Sequence, residues 1–302
     1  MKYLSHLEAQ DMGNLLSLKR KRGITLSLAL PVLNEEATVG RVIECALSCQ
    51  PLIDEIIVLD SGSTDNTLRV CAGYNVRFVS DEDTARDLAV ALSRGKGWNL
   101  WSSVYLTKGD VVAWIDTDIE NIHPRFILGI VAPFLMFSDV QFAKGYYRRP
   151  KGDARVTEIL ARPFLNMLFP ETAGFIQPLS GEYAGRREFL EQASFYSGYS
   201  IEVALLLQAI LECGDDKVAQ VFLDQRFHPL QDVSSLGKMA SNILYTLLHL
   251  AEKYKRLSLN VAVGQYVQVF NAVINGGGDI SPERIFIADA ALPKIVDLPG
   301  YR

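Results

Sequence analysis

The 302 residues predict an α/β protein built on a Rossmann-like, doubly wound and mostly parallel sheet, with a helical C-terminal extension. Three observations carry that prediction. Apolar runs of strand length end in short polar turns that open helical patterns, first at Ile24 to Val32 and again at Glu55 to Leu59. The run Val111 to Ile115 is continuously apolar, as a strand covered on both faces must be, and it stops at two acids, Asp116 and Asp118. These turns all follow strands, so they fall on the sheet edge where open α/β folds bind ligands.

In chain order, residues 1–23 have mixed polarity and read as an N-terminal extension ending in the basic cluster Lys19 to Arg22, a solvated linker or a weak membrane-surface contact. Residues 24–230 form the core. ITLSLALPV is the first strand and LNEEATVGRVIECAL its helix, with Asn34 or Thr38 as caps and acids in the first turn. DEIIVLDSGSTDNT repeats that grammar, and NVRFVS supplies a third strand. In RGKGWNLW, glycines flank Lys96 at a helix start, where backbone and lysine can approach a phosphate; a solvent-exposed loop lysine is the alternative.

After the acidic turn, Val140 to Ala143 is a strand. A cationic loop follows with Lys144, Arg148, Arg149, Lys151 and Arg155, suited to an anionic second substrate or simply to salt-bridged exposure. Ile176 to Leu190 is a further strand and turn with Gly181 and Glu182 at its end. Glu202 opens an apolar helix, either as a helix-start acid or as a site residue aimed at a sugar hydroxyl. VAQVFLDQRFHPL ends a strand with Arg226 and His228. Residues 231–302 are a helical segment and tail.

Composition narrows the classes. A net charge of -5 argues against nucleic-acid binding. MKYLSHLEAQ lacks a basic start followed by an apolar core, so a cytoplasmic location is expected. Phe126 to Phe137 holds Gly129 and Pro133 and is too short to cross a bilayer; it predicts a buried helix rather than an integral membrane segment. Cys45, Cys49, Cys71 and Cys213 form no Cys-x-x-Cys pair and read as buried free thiols. The pair Asp116 and Asp118 suits a hard divalent cation that clamps a diphosphate, with a loop or capping role as the alternative.

Taken in order, LPVLNEE, VLDSGSTDNT, GKG, IDTD, YYRRP, RVTE, PLSGEYA and RFH resemble the retaining glucosyl-3-phosphoglycerate synthases, close to the mannosyl-3-phosphoglycerate synthases. LPVLNEE and SGSTD occur across nucleotide-sugar glycosyltransferases, whereas PLSGEYA with YYRRP and RVTE is more specific. The resemblance implies a GT-A-type fold and transfer of glucose from UDP-glucose to 3-phosphoglycerate, giving glucosyl-3-phosphoglycerate on a route to glucosylglycerate. It places Pro31, Val32 and Leu33 on the nucleobase, Glu35 on the ribose, Ser61 on the nucleotide and Lys96 on the diphosphate. Asp116 and Thr117 then face the nucleoside, and Asp118 with His228 ligates Mg2+ or Mn2+. Arg155 and Thr157 match the residues that hold the acceptor phosphate, and the charge of the cationic loop adds Lys144 and Arg148 as acceptor candidates. Glu202 engages the transferred sugar, and Leu179 and Ser180 pass under its anomeric carbon; these three are the catalytic candidates. A homodimer is also implied; the apolar helix near Leu244 to Leu250 and the tail are the candidate contact.

The chain departs from the pattern at Asp153 and Ala154, where glycines commonly precede RVTE, which leaves the acceptor less defined than the donor. GDP-mannose or GDP-glucose as donor, a polyprenyl-phosphate glycosyltransferase and a non-catalytic nucleotide-sugar-binding module are the alternatives. The last is disfavoured by the complete set of Lys96, Asp118 and His228.

Overall fold

The computed structural model describes residues 1–4, 11–149, 155–228, 232–269 and 283–301, so Lys151, Asp153 and Ala154 lie outside the described residues. In chain order the first half contains β1 (Lys2–Leu4), α1 (Met12–Arg22), β2 (Leu26–Val32), α2 (Val39–Ser48), β3 (Glu55–Asp60), α3 (Thr67–Cys71), β4 (Arg77–Ser80), α4 (Asp81–Leu88), α5 (Lys96–Leu106) and β5 (Val111–Trp114). The second half adds α6 (Pro124–Met136), β6 (Phe142–Arg148), α7 (Arg162–Leu168), β7 (Tyr183–Arg186), α8 (Arg187–Gln192), α9 (Ile201–Gln208), β8 (Val218–Gln225), α10 (Val233–Lys253), β9 (Tyr266–Val269) and β10 (Glu283–Phe286).

Eight strands form one sheet in the order β1-β8-β6-β7-β5-β2-β3-β4. All pairs are parallel except those made by β7, which runs antiparallel to β5 and β6. The central strands β2, β3 and β5 are buried on both faces, the reason they read as unbroken apolar runs. Leu26, Leu28, Leu30, Val111, Ala113 and Ile115 point to the face covered by α1, α2 and α6. Ala29, Ile57, Val112 and Trp114 point to the other, under Trp98 and Trp101 of α5. Fully burying a Leu or Phe side chain is worth about 1.5–3 kcal/mol relative to exposure, so these two layers fix the strand register.

Several expectations need correction. The stretch Ile176 to Leu190 does contain a strand, but Gly181 and Glu182 precede it; because β7 is antiparallel, this places them on the carboxyl edge of β5. Lys144 and Arg148 belong to β6 rather than to a loop. Helix α2 starts only at Val39, and Asn34 sits in a left-handed turn at φ 57°. Polar side chains before α2 tie the first loop to the second: Asn34 Oδ1 accepts from Thr64 N at 2.8 Å and Glu36 Oε2 from Asn66 N at 2.8 Å.

Described parts of residues 1–23 and 231–302 pack against the core. Residues 2–4 pair with Ala219 to Val221, adding β1 to the sheet as an edge strand. The basic cluster is not a solvated linker: Lys19 Nζ donates to Leu52 O at 2.7 Å, and Arg22 Nε and Nη2 donate to Leu135 O and Met136 O, both at 2.9 Å. Arg22 thus meets orphan carbonyls that end α6. Leu247 and Leu250, the apolar helix face proposed as a dimer contact, are buried within the chain against Val203, Ala204 and Leu207. At the C-terminus Ile295 and Leu298 enter the core beside Trp101, whose Nε1 donates to Pro293 O at 2.8 Å. Cys45, Cys49 and Cys71 are buried and Cys213 half-buried, and all four are free thiols. Among the described residues no helix is long and apolar enough to cross a membrane.

Candidate active site

A cleft of about 310 Å³ opens where β2, β3 and β5 end and β7 begins. The end of β2 and the turn after it contribute Pro31, Val32, Leu33 and Glu35, and the turn after β3 contributes Ser61. Asn99 of α5 holds Ser61 in place, donating Nδ2 to Ser61 Oγ at 2.8 Å and to Leu59 O at 3.0 Å. Asp116, Thr117 and Asp118 follow β5, and Arg226 and His228 follow β8. Arg155, Thr157, Leu179, Tyr199 and Glu202 complete the wall, with the apolar side chains Leu236, Met239 and Ile243 of α10.

The centre of the cleft is an ion-pair chain. Lys96 Nζ lies 2.6 Å from Asp116 Oδ1 and 2.7 Å from Glu202 Oε1. Asp116 Oδ2 is 3.2 Å from Arg226 Nη2, which also reaches Asp118 Oδ1 at 2.6 Å. Arg226 Nη1 continues the chain to Glu182 Oε1 at 3.1 Å and donates to Tyr147 Oη at 2.8 Å. Burial by itself would raise the Asp116 carboxyl, but Lys96 and Arg226 on either side hold it down at about 2. Burial raises Glu182 above the usual carboxylate range, and the Arg226 charge offsets part of that rise. Lys96 and Arg226 stay protonated because the carboxylates around them outweigh their desolvation.

Most residues singled out from the sequence meet here: Pro31, Val32, Leu33, Glu35, Ser61, Lys96, Asp116, Thr117, Asp118, Arg155, Thr157, Leu179, Glu202 and His228 all line the cleft. Three do not line it. Ser180 is fully buried, its Oγ donating to Gly145 O at 2.6 Å. Lys144 lies beneath it, donating Nζ to Ser180 O at 2.7 Å, and burial pushes its ammonium down to about 7. Lys144 therefore braces the turn that carries Leu179 instead of facing an acceptor. Arg148 is exposed and stacks over the Phe222 ring at 5.5 Å.

Sequence reading missed the roles of Arg226, Tyr147, Glu182, Asn99 and Tyr199. Arg226, Tyr147 and Glu182 stand inside the quoted motifs RFH, YYRRP and SGEYA, which was the available signal. The glycines around Lys96 also answer to a different cause. A Cβ on Gly97 would stand 1.7 Å from Tyr196 O, and Gly95 holds φ 128°, so the segment 196–198 crossing over α5 demands them. A Cβ on Gly181 would stand 1.9 Å from Asp116 Oδ2, which explains the glycine in PLSGEYA. Gly97→Ala is expected to cost about 1–3 kcal/mol through overpacking and to lower turnover by displacing Lys96. Urea unfolding checks it, and an unchanged midpoint would show that the Tyr196 backbone yields freely.

Among the described residues no group of three or more His, Cys, Asp or Glu side chains forms a metal site by itself. Asp118 and His228 offer one carboxylate and one imidazole on the same cleft, and Arg226 engages Asp118 Oδ1. Such a donor set fits a Mg2+ or Mn2+ ion that takes its remaining ligands from phosphate oxygens and water.

An acidic turn on the carboxyl edge of a mostly parallel sheet, with Lys96 between it and Glu202, fits the site of a nucleotide-sugar glycosyltransferase of GT-A-like fold. Residues 27–192 match the family described as Glycosyl transferase family 2. A glucosyl-3-phosphoglycerate synthase of Petrotoga mobilis is 41% identical over 268 residues, 84% of this chain and 82% of that protein. The crystal structure of the Mycobacterium tuberculosis glucosyl-3-phosphoglycerate synthase with Mn2+, UDP-glucose and phosphoglyceric acid superposes with a TM-score of 0.87 at 35% identity, covering 98% of both chains. Another structure of that enzyme, with Mn2+, UDP and glucosyl-3-phosphoglycerate, gives a TM-score of 0.86 at 35% identity and covers 98% of this chain and 99% of that one. The chain belongs to the glucosyl-3-phosphoglycerate synthases within glycosyl transferase family 2.

Proposed function

We propose that the protein transfers glucose from UDP-glucose to the hydroxyl of 3-phosphoglycerate with retention of configuration, giving glucosyl-3-phosphoglycerate. The observation that carries this reading is the Lys96–Asp116–Arg226–Asp118 chain, which alternates cations and carboxylates in a cleft that Pro31, Val32, Leu33, Ser61, Arg155 and Thr157 also line. Pro31, Val32, Leu33 and Ser61 take the base, and the Glu35 carboxylate accepts the ribose hydroxyls. Asp118 and His228 are the residues that would hold Mg2+ or Mn2+, which when bound supplies positive charge to the diphosphate. Lys96 donates to the same diphosphate and stabilises the charge that develops as it leaves. Arg155 and Thr157 hold the acceptor phosphate.

In the transfer, the bond from C1 of glucose to the phosphate oxygen breaks as the acceptor oxygen bonds to C1 from the same face. The acceptor hydroxyl proton passes to the departing phosphate oxygen, and UDP leaves. Glu202, paired with Lys96 at 2.7 Å, orients the sugar and does not attack it. A cytoplasmic location and a homodimeric assembly belong to the same reading. The test supplies Mg2+ and equal UDP-glucose, GDP-glucose and GDP-mannose, with and without 3-phosphoglycerate. UDP release that requires 3-phosphoglycerate is expected; GDP release, or UDP release indifferent to acceptor, would contradict the reading.

Glu35 gives this reading a pH signature. Burial, and then the nearby Asp118 charge, raises its carboxyl to about 7 despite the opposing hydrogen bond from Thr38. A raised acid is protonated below that pH, and only the ionised form accepts both ribose hydroxyls. Uridine affinity without divalent metal should therefore rise through pH 7, falling by up to about tenfold per unit below it. Using uridine keeps phosphate titration out of the curve. Glu35→Gln should flatten it, whereas a flat wild-type curve would remove Glu35 from the ribose.

A further inference from the structure

Helix α9 carries Glu202 at its second residue, yet its N-cap Ser200 makes no side-chain cap to its own helix. The Ser200 hydroxyl is turned to Asp289, a residue of the C-terminal segment, and donates to its Oδ2. The other Asp289 oxygen, Oδ1, accepts from Asn242 Nδ2 of α10 at 2.8 Å. Asn242 Oδ1 in turn accepts from the backbone N–H of Tyr199 at 3.1 Å, and Thr246 Oγ1 donates to Ser200 Oγ at 3.0 Å. One carboxylate 89 positions downstream thus gathers the start of α9, the Tyr199 backbone and α10.

The same segment clips the rest of that loop. Ser197 N donates to Ala290 O at 3.0 Å, Ala290 N to Ser197 Oγ at 3.2 Å, and Leu292 N to Phe195 O at 2.9 Å. Gly198 is pressed against the carboxylate, since a Cβ there would stand 2.1 Å from Asp289 Oδ1. On its far side the loop rests on the helix that begins at Lys96: Trp98 N donates to Ser197 O at 3.2 Å. The segment is anchored beyond by the burial of Ile295 and Leu298. A strap from Ile287 to Pro293 therefore presses Tyr199 and Glu202 toward Lys96, and Asp289 is its polar centre.

We propose that Asp289 is a positioning residue of the transfer site, setting Tyr199 and Glu202 against Lys96 from the C-terminal strap. This rests on the reading of the cleft as a UDP-glucose site, with the strap governing the sugar end and leaving the nucleoside end untouched. A carboxylate is needed because every contact to Asp289 comes from a donor, the Ser200 hydroxyl and the Asn242 amide. Small misplacement of a group beside the reacting centre costs on the order of 100-fold in rate, so the effect is expected in turnover before affinity.

The experiment compares the full-length wild type with Asp289→Ala, Ser200→Ala and the double variant, reading kcat, UDP affinity with Mn2+ by calorimetry, and amide hydrogen exchange. Asp289→Ala should lower kcat about 10–100-fold with UDP affinity within about twofold. Exchange should quicken at Tyr199 to Glu202 while β2 and β5 keep their protection. Ser200→Ala should be milder, and the double variant no worse than Asp289→Ala, as for groups that act as one unit. Unchanged kcat, or unchanged exchange at Tyr199 to Glu202, would overturn the proposal, as would equal loss of UDP affinity and of protection throughout the sheet. If Asp289→Ala does not fold, Ser200→Ala and Asn242→Ala carry the same readouts. A wild type that releases no UDP with 3-phosphoglycerate would refute the substrate reading, and the exchange comparison would still judge the strap.

Discussion

Arg226→Ala should remove about 3–5 kcal/mol of folding stability and abolish measurable glucosyl transfer. Its guanidinium is 6% exposed and bridges Asp116, Asp118 and Glu182, carboxylates that come from the ends of β5 and from the turn before β7. Taking it away leaves Glu182, which is fully buried, without the opposite charge that Arg226 sets 3.1 Å away, and leaves Asp118 without its guanidinium contact. Three acids would then repel across the cleft floor. Arg226→Lys should recover little, because one ammonium cannot span three carboxylate groups and Tyr147 as the planar fork does. Urea unfolding with turnover in parallel checks both halves. A variant that kept its stability would show that the three acids are neutralised some other way.

Lys96→Ala should lower kcat by about 10²–10³-fold, the loss expected when one preorganised donor to a developing charge is removed. The stability loss should be smaller than for Arg226→Ala. Lys96 is 15% exposed and Asp116 keeps its contact with Arg226, so removal of the ammonium lets water reach the vacated space. Glu202 is the group most affected, since its carboxylate pairs with Lys96 at 2.7 Å. The KM for 3-phosphoglycerate should change little, because in the proposed reading the acceptor phosphate falls to Arg155 and Thr157 rather than to this pair. Steady-state kinetics with each substrate varied decides the matter. Wild-type kcat in Lys96→Ala would take the lysine away from the diphosphate.

Much of this was legible in residue pattern, and the failures have physical causes. The doubly wound sheet followed from apolar runs ending in polar turns, and the acidic turn after Val111–Trp114 was placed correctly because a strand buried on both faces shows no alternation. Strand direction left no such trace. The segment around Tyr183 has the same composition whether it runs parallel or antiparallel, and only its pairing with β5 and β6 puts Gly181 and Glu182 on the ligand edge. Residues 2–4 are too few to carry a periodic signal, and their partner lies beyond residue 218.

The site divides in the same way. Lys96, Asp116 and Asp118 stand in compact motifs, whereas Arg226 acquires its meaning from acids 108 and 110 positions earlier in the chain. Lys144 was grouped with the other cations by charge alone, yet its strand position turns it inward under Ser180. Cationic stretches lose their sign of address once one residue is in a strand, because alternate side chains face opposite sides. Asp289 was invisible for the opposite reason: the tail around it shows no motif, and its partners Ser200 and Asn242 are ordinary polar residues until the fold joins them.

The most direct test of the account is the anomeric configuration of the product. The enzyme is incubated with UDP-glucose, 3-phosphoglycerate and Mg2+, and the isolated product is examined by NMR and mass spectrometry. Because UDP-glucose is an α-glucoside and no side chain of the cleft is assigned as nucleophile, the account predicts an α-linked glucosyl-3-phosphoglycerate with no trapped glycosyl-enzyme. A β-linked product, free glucose in its place, or a covalent adduct on Glu202 would contradict it.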